Sequence, residues 1–418
     1  MNHRRLVFVM LTVAVLSLAA ALVAISQLSG SRSGASAVGQ MDLTGLGNPT
    51  DFAIEAFTCP EEGDCVVGGS YTLHDAAAGS DYWLPFLELE SKGVWQPPRT
   101  YGNVDTAAID GTISQISCSS KMLCVAVGDM QGRAFEVTDH RHHWGSLHYF
   151  QSVSAVQWSA INDHVACSSD ASCTAIFEGW AGLGPSPAEF AVFHHGQWSQ
   201  PTPLRITAPL GELRALRCTS YLRCTAWGLG GTGNFTGFEM TETARGWATS
   251  RIGDPLISRV LRQALEWDSP FTACPTSSSC YRLTHDAQRH WFLSLDNRGV
   301  LESRTLLDTS GLRARGHPLE IGSATGFGCS SSGNCVLSIE VWDWHQPGHL
   351  VDMNSLRSHM VIAVEQHGVW SRFHSLPRPL GNHRTPWVTA ISCPRNERCE
   401  ILGSYHNGNA LKQYIVKV

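Results

Sequence analysis

The chain has 418 residues, of which 43% are hydrophobic and 16% are charged, and its formal net charge at pH 7 is −6. A chain of this length and apolar content can bury a large core, which excludes a wholly disordered protein. The acidic balance and the lack of any run of basic residues argue against nucleic acid as a partner.

The chain begins with an uncharged apolar segment, Leu6 to Leu28. As a helix it would be roughly 34 Å long, enough to cross a bilayer. Arg4 and Arg5 precede it, which predicts a cytoplasmic amino terminus and an exported remainder. We therefore assign residues 1–28 to a cytoplasmic stub and a transmembrane signal-anchor in the cell membrane. The alternative is a secreted protein that is cleaved near Ala37.

The next segment, residues 29–40, is small and polar, which is typical of a flexible linker. No comparable linker follows it. Residues 41–418 are therefore predicted to form one domain, although their number alone would suggest two or three.

Every cysteine of this domain belongs to a pair with five residues between its members, and the pair recurs seven times. The pairs are Cys59/Cys65, Cys118/Cys124, Cys167/Cys173, Cys218/Cys224, Cys274/Cys280, Cys329/Cys335 and Cys393/Cys399. In an exported protein, evenly built pairs predict seven disulfides. A zinc site is the alternative, but structural zinc sites favour cysteines two to four residues apart, and we expect none.

Each repeat contains the signals of four strands. In the second copy, Cys118 and Cys124 flank a tight turn, which predicts a β-hairpin. A third strand follows, and in most copies a glycine–tryptophan turn leads into a fourth. Seven copies of four strands predict an all-β protein, a seven-bladed β-propeller that follows one transmembrane helix.

The two ends of the domain are predicted to meet in one blade. The last copy ends at Val418, soon after its third strand. At the other end, residues 41–48 precede the first copy and match the segment around Leu380, interpreted as a fourth strand. We therefore predict that this amino-terminal strand completes the last blade and closes the ring.

The repeated Ser-Cys-x5-Cys-Val-Ala-Val-Gly phrase, with its later Gly-x-Trp, resembles the secreted β-propeller repeats of actinobacteria. Those repeats are loosely similar to sialidase-like propellers, which carry an Asp-box. The resemblance implies a bacterial, extracellular propeller. The Asp-box itself is approached only by Ser294-Leu-Asp296-Asn-Arg-Gly299, which has one extra residue before the glycine and lacks the tryptophan. No catalytic residue is therefore assigned from the resemblance.

The two faces of the predicted propeller differ in their connections. The disulfide face carries the first-to-second and third-to-fourth turns, which are short and regular. The loop face carries the other connections, which are long and vary between copies, so function is expected there. Tryptophans that could stack on a ligand, with one adjacent acid, are Trp158, Trp180, Trp267, Trp342, Asp343, Trp344 and Trp387. The alternative is that these tryptophans pack the loops together.

The sequence predicts a membrane-tethered propeller that binds a glycan or protein ligand on its loop face and catalyses no reaction. The alternative is a sialidase-like glycoside hydrolase or lyase acting on extracellular or cell-envelope polysaccharide, with Asp75, Asp268, Asp286 or Asp343 as its acids. Histidines and acids in the sixth repeat could hold zinc, namely His345, His349, Asp343 and Asp352. Nothing fixes their geometry, so we expect no metal and no cofactor.

Overall fold

The computed structural model describes residues 36–40, 46, 51–61, 63–75, 80–102, 110–120, 123–140, 143–151, 163–168, 171–178, 188–204, 210–230, 236–243, 246–251, 272–276, 279–285, 291–297, 300–307, 312–314, 317–318, 320–330, 333–343, 357–366, 369–376, 387–394, 398–407 and 410–418. Nearly all of these residues lie in β-strands or in the tight turns between them. The predicted transmembrane segment lies outside the described residues. Among those described, no helix has the length and apolar content needed to cross a membrane.

The strands follow the repeats in order. Before the first repeat comes β1 (Ser36–Gln40). The first repeat forms β2 (Asp51–Glu61), β3 (Asp64–Asp75), β4 (Ser80–Ser91), β5 (Val94–Trp95) and β6 (Arg99–Thr100). The second forms β7 (Gly111–Ser120), β8 (Leu123–Met130), β9 (Arg133–His140) and β10 (His148–Tyr149). The third forms β11 (His164–Cys167), β12 (Cys173–Glu178), β13 (Ala188–His194), β14 (Gln197–Trp198) and β15 (Thr202–Pro203).

The later repeats continue the same succession. The fourth forms β16 (Leu210–Ser220), β17 (Arg223–Gly230), β18 (Thr236–Thr243) and β19 (Gly246–Arg251). The fifth forms β20 (Thr272–Thr276), β21 (Ser279–His285), β22 (Trp291–Asn297) and β23 (Val300–Leu306), followed by the hairpin of β24 (Arg313–Ala314) and β25 (His317–Pro318). The sixth forms β26 (Glu320–Cys329), β27 (Cys335–Asp343), β28 (Arg357–Gln366), β29 (Val369–Trp370) and β30 (His374–Ser375). The seventh forms β31 (Trp387–Ser392), β32 (Glu400–Asn407) and β33 (Ala410–Lys417).

Within each repeat the strands pair antiparallel, and the first four pair in sequence order, so each repeat is one sheet. Where a further short strand follows, it pairs with the third strand, as β6 with β4, β15 with β13 and β30 with β28. In the described part of the chain there are seven such sheets, and β24 and β25 form a small separate one. The prediction of an all-β protein made of β-propeller blades is confirmed, since each sheet is a meander whose first strand contacts the first strand of a neighbouring sheet, as β7 contacts β11 and β31 contacts β2.

The cysteine pairs lie where the repeat predicts them. In the second sheet Cys118 is directly opposite Cys124 across β7 and β8, with their Cα atoms 4.0 Å apart. Disulfides join Cys59–Cys65, Cys118–Cys124, Cys167–Cys173, Cys218–Cys224, Cys329–Cys335 and Cys393–Cys399. The side chains of Cys274 and Cys280 lie outside the description, so this seventh pairing stays a prediction.

The glycine turns before the fourth strands also follow the prediction. Lys92 and Gly93 have φ angles of 53° and 78°, and His195 and Gly196 have φ angles of 52° and 81°. Two successive residues with positive φ form the tight turn whose twist suits a hairpin, and glycine adopts it without steric cost. The turns bring tryptophans to the start of short outer strands, as at Trp95.

The apolar core lies between successive sheets. All eight residues of β8 are buried, because both faces of this strand are covered. On one face, Val125 and Val127 pack against Val165 and Phe177 of the third sheet. This is the face-to-face contact expected of neighbouring blades.

Hydrogen bonds accepted by the serine before the first cysteine also link neighbouring sheets. Ser117 Oγ of the second sheet accepts a bond of 2.9 Å from the Cys167 N–H of the third. Ser392 Oγ of the seventh sheet accepts a bond of 2.8 Å from the Cys59 N–H of the first. The seventh sheet therefore contacts the first in the same way as the second contacts the third.

The amino-terminal strand is present but lies upstream of its predicted position. Ser36–Gln40 pairs antiparallel with β33 and supplies the fourth strand of the seventh sheet. This strand lies inside the predicted linker 29–40, and not at 41–48, of which only Leu46 is described. The reason lies in the sixth repeat, where the outer strands end at Ser375, before Leu380. The described outer strands of the sixth repeat therefore come before Leu380, as β1 comes before residues 41–48.

Candidate functional site

Two exposed tryptophans lie on the loop face. Among the described residues, six large apolar side chains are exposed: Trp83, Val94, Tyr221, Leu306, Val369 and Trp387. Trp83 and Trp387 are each 37% exposed. Trp83 lies near the start of β4, opposite Thr72, and Trp387 begins β31, opposite Ser404. Both positions are at the ends of the sheets away from the disulfides, in the first and seventh sheets, which are in contact.

The local sequence explains why Trp83 faces outward. Strands β3 and β4 have 12 residues each, so their hairpin extends far toward the loop face. Side chains of a strand alternate between its two faces. Tyr82 and Leu84 are buried, at 5% and 2% exposure, which leaves Asp81 and Trp83 on the other face.

Polar groups lie next to Trp83. His74 Nδ1 and Asp81 Oδ1 are 2.9 Å apart, across the strand pair and two residues closer to the hairpin end than Trp83. Both side chains are about half exposed. The exposed Asp110 pairs with Trp83 through its backbone. An imidazole held by a carboxylate at one nitrogen can offer the other nitrogen to a ligand as donor or acceptor.

The exposed aromatic of the disulfide face is arranged differently. The ring of Tyr221, in a first-to-second turn, stacks on His194 with ring centroids 3.9 Å apart and planes 14° apart. The other exposed apolar side chains described on this face are the valines Val94 and Val369, in the first and sixth sheets. This face therefore offers no tryptophan in the described residues that is as exposed as Trp83.

Most of the residues predicted for the functional site lie outside the part of the chain that the structure describes. Trp158, Trp180, Trp267 and Trp344 lie outside the described residues, as do Asp268, Asp286, His345, His349 and Asp352. The backbones of Trp342 and Asp343 end β27, opposite Ser358 and Arg357, and Asp75 ends β3 opposite Ser80. The positions of these three side chains are not part of the description. Trp387 alone among the predicted residues has a described, exposed side chain.

A recurring buried acid at the disulfide end was missed by the sequence analysis. Four repeats place an acid on the third strand next to a tryptophan on the fourth: Glu90 and Trp95, Asp139 and Trp144, Glu242 and Trp247, and Glu365 and Trp370. Burial raises the pKa of Glu242 to about 7. Burial and then the charge of Glu400 raise the pKa of Glu90 to about 7. The constant spacing of five residues from acid to tryptophan was the available signal.

One cluster has the geometry of a metal site but not its chemistry. Among the described residues, ligand atoms of Cys59, Cys65 and Glu400 all lie within 4.8 Å of one another. The two cysteines form a disulfide, so they offer no thiolate. The Glu400 carboxylate instead accepts the Gly63 N–H at 3.0 Å and lies 3.5 Å from Lys417 Nζ. This cluster is therefore an internal contact.

Comparisons with known proteins find solved structures of low similarity and no family. No protein-family model matches the chain, and no curated protein matches it in sequence. It is similar to the β-propeller domain of the trilobed protease from Pyrococcus furiosus, with 6% identity and a TM-score of 0.48 over 88% of this chain and 94% of that one. It is also similar to a subtype N10 neuraminidase-like protein of A/little yellow-shouldered bat/Guatemala. The identity is 8% and the TM-score is 0.39, over 73% of this chain and 96% of that one. A third similar structure is an α-L-arabinanase of Penicillium chrysogenum, with 7% identity and a TM-score of 0.41 over 92% of this chain and 98% of that one. At such values these likenesses carry no argument about function.

Proposed function

We propose that the chain is an extracytoplasmic β-propeller, tethered by Leu6 to Leu28, that binds a glycan or protein ligand on its loop face and catalyses no reaction. The observation that carries this proposal is the exposure of Trp83 and Trp387 on the loop-face ends of two contacting sheets. Indole rings left open to solvent, with polar groups beside them, suit the recognition of sugar rings or apolar surface.

The scaffold that we infer is a closed ring of seven blades. Two observations support it. The Ser392–Cys59 hydrogen bond between the last and first sheets repeats the Ser117–Cys167 bond inside the chain. In addition, β1 covers the outer edge of β33, which would otherwise be exposed.

An extracytoplasmic location with a retained anchor is part of the proposal. Disulfides persist in oxidising compartments, and six are present among the described residues. Secretion after cleavage near Ala37 is less compatible with the fold, because the cut would remove the first residues of β1. An anchor that ends at Leu28 leaves β1 whole.

Glycoside hydrolysis or a lyase reaction is the second candidate, and one observation favours it. The His74–Asp81 pair lies beside Trp83, where a bound sugar would bring its hydroxyl groups. An imidazole oriented by a carboxylate is a suitable general base. A glycosidase of the usual kind further requires two carboxyl groups about 5–9.5 Å apart around the scissile bond.

A binding screen with product analysis tests both candidates. The full-length protein is incubated with a glycan panel, envelope polysaccharides and envelope proteins, and each bound ligand is recovered and its mass compared with the input. Saturable binding with unchanged ligand mass is the expected result. Ligand cleavage that His74→Ala abolishes would replace binding by catalysis, and the lack of saturable binding to any component would contradict the proposal.

A further inference from the structure

Two aspartates face each other between the second and third sheets. Along β8, Val127 packs against the third sheet, and Asp129 follows two residues later on the same strand face. Along the third sheet, Val165 packs against β8, and Asp163 precedes it by two residues. Both carboxylates therefore point into the same interface, at its loop-face end and beyond its apolar part.

The Asp163 carboxylate is buried without a satisfactory partner. Its side chain is 2% exposed, and neither oxygen has a hydrogen bond of normal geometry. Burial first and then the charge of Asp129 raise the pKa of Asp163 well above its usual range, and the Glu178 backbone N–H offsets this only in part. A buried carboxylate without a partner is costly, so it requires a proton or a cation.

The charged side chains that shift the pKa of Asp163 are both acids, Asp129 and Glu178. Asp129 is 8% exposed, and burial and the nearby Asp110 carboxylate raise its pKa to about 6. Two basic residues lie near the pair in sequence, and each contacts another group. His164 Nε2 is 3.1 Å from the Leu213 carbonyl oxygen, and the Arg133 guanidinium lies 4.2 Å from the centre of the Tyr149 ring. The Glu178 carboxylate also raises the pKa of Asp163, but it lies on the other face of the third sheet, where its Oε1 accepts the Leu213 N–H at 2.7 Å.

We propose that Asp129 and Asp163 bind a calcium ion between the second and third sheets. The two side chains offer only hard oxygen donors, which calcium prefers, and calcium can complete its coordination with backbone carbonyls and water. With only two buried carboxylates, the dissociation constant should be on the order of 10⁻⁴–10⁻³ M, the range of extracellular calcium modules. The ion would fasten two neighbouring sheets next to the ligand-binding face.

Thermal unfolding of the full-length protein with and without calcium chloride, after treatment with a chelator, tests the proposal. Calcium at about ten times its dissociation constant should raise the Tm by about 2 °C or more. Asp163→Asn, which keeps the size of the side chain, should remove this shift. Glu242→Gln is the matched control and should keep the full shift. Like Asp163, Glu242 is buried and its oxygens have no hydrogen bond of normal geometry, but no acid is among the groups that shift its pKa.

Two results would overturn the proposal. A wild-type Tm that does not respond to calcium would mean that the pair shares a proton instead, and Asp163→Asn would then raise the Tm in calcium-free buffer. An equal calcium shift in wild type and in Asp163→Asn would place the ion elsewhere. If Asp163→Asn does not fold, Asp129→Asn and calorimetric titration of the wild type replace it, with one bound calcium per chain expected and none contradicting the site.

Discussion

The Glu400 carboxylate accepts a hydrogen bond of 3.0 Å from the Gly63 N–H, although the two residues are 337 positions apart. This bond joins the seventh sheet to the first. Glu400 is 0% exposed and follows the second cysteine of its repeat, where other repeats carry apolar residues such as Val66, Val125 and Val336. The third and fourth repeats carry the neutral residues Thr174 and Thr225 there, so only the contact between the ends of the domain uses a charged group at this position.

Replacement of Glu400 by alanine is predicted to destabilise the protein strongly. The Gly63 N–H loses its acceptor, and Lys417 loses the carboxylate 3.5 Å from its Nζ atom. Removal of one partner of a buried pair costs about 3–5 kcal/mol, which denaturant unfolding would measure. Glu400→Gln, which keeps an acceptor for Gly63, should cost less. An alanine variant as stable as wild type would show that the packing of the seventh sheet on the first does not depend on this contact.

The amino-terminal strand gives a second prediction. A chain that lacks residues 1–40 should unfold at a lower temperature than one that lacks only 1–35, because β33 loses its partner β1 and exposes an unpaired edge. Calorimetry of the two truncated proteins measures the difference. Equal transition temperatures would mean that Ser36–Gln40 adds nothing to the seventh sheet.

The buried acid Glu242 predicts a specific dependence of stability on pH. Its pKa is raised from 4.5 to about 7 in the folded protein. The folded state therefore holds a proton that the unfolded state releases, and this contribution is complete below pH 4.5 and lost as the pH rises through about 7. It amounts to about 3 kcal/mol at most.

Substitution of this acid isolates the effect. The glutamine side chain of the Glu242→Gln variant is neutral at every pH. The unfolding free energy of this variant should therefore fall less than that of wild type between pH 5 and pH 8. Glu55→Gln removes an exposed carboxylate and controls for surface charge. Identical pH profiles for Glu242→Gln and wild type would contradict the assignment.

The architecture could be predicted because its signals are local. The cysteine pair and the glycine–tryptophan turn are fixed by spacings of a few residues, and a hairpin forms from such spacings wherever they recur. The first strand was placed too far downstream because it was located by a match to the segment around Leu380, whereas the described outer strands of the sixth repeat end at Ser375. Comparison of the repeats at the residue after the second cysteine would have singled out Glu400.

The loop-face site depends on information that a single repeat does not contain. Trp83 was not selected from the sequence, because its exposure follows from the length and register of β3 and β4. The same register brings His74 opposite Asp81. Asp129 and Asp163 come from different repeats, so their proximity follows only from the packing of two sheets.

Ligand affinity of matched double variants tests the central claim most directly. Trp83→Ala with Trp387→Ala removes the exposed indoles of the loop face, whereas Val94→Ala with Val369→Ala removes exposed apolar side chains of the disulfide face. For the ligand recovered in the binding screen, the tryptophan variant should bind at least about tenfold more weakly with an unchanged Tm. The valine variant should bind as wild type does. Wild-type affinity in the tryptophan variant would contradict binding on the loop face.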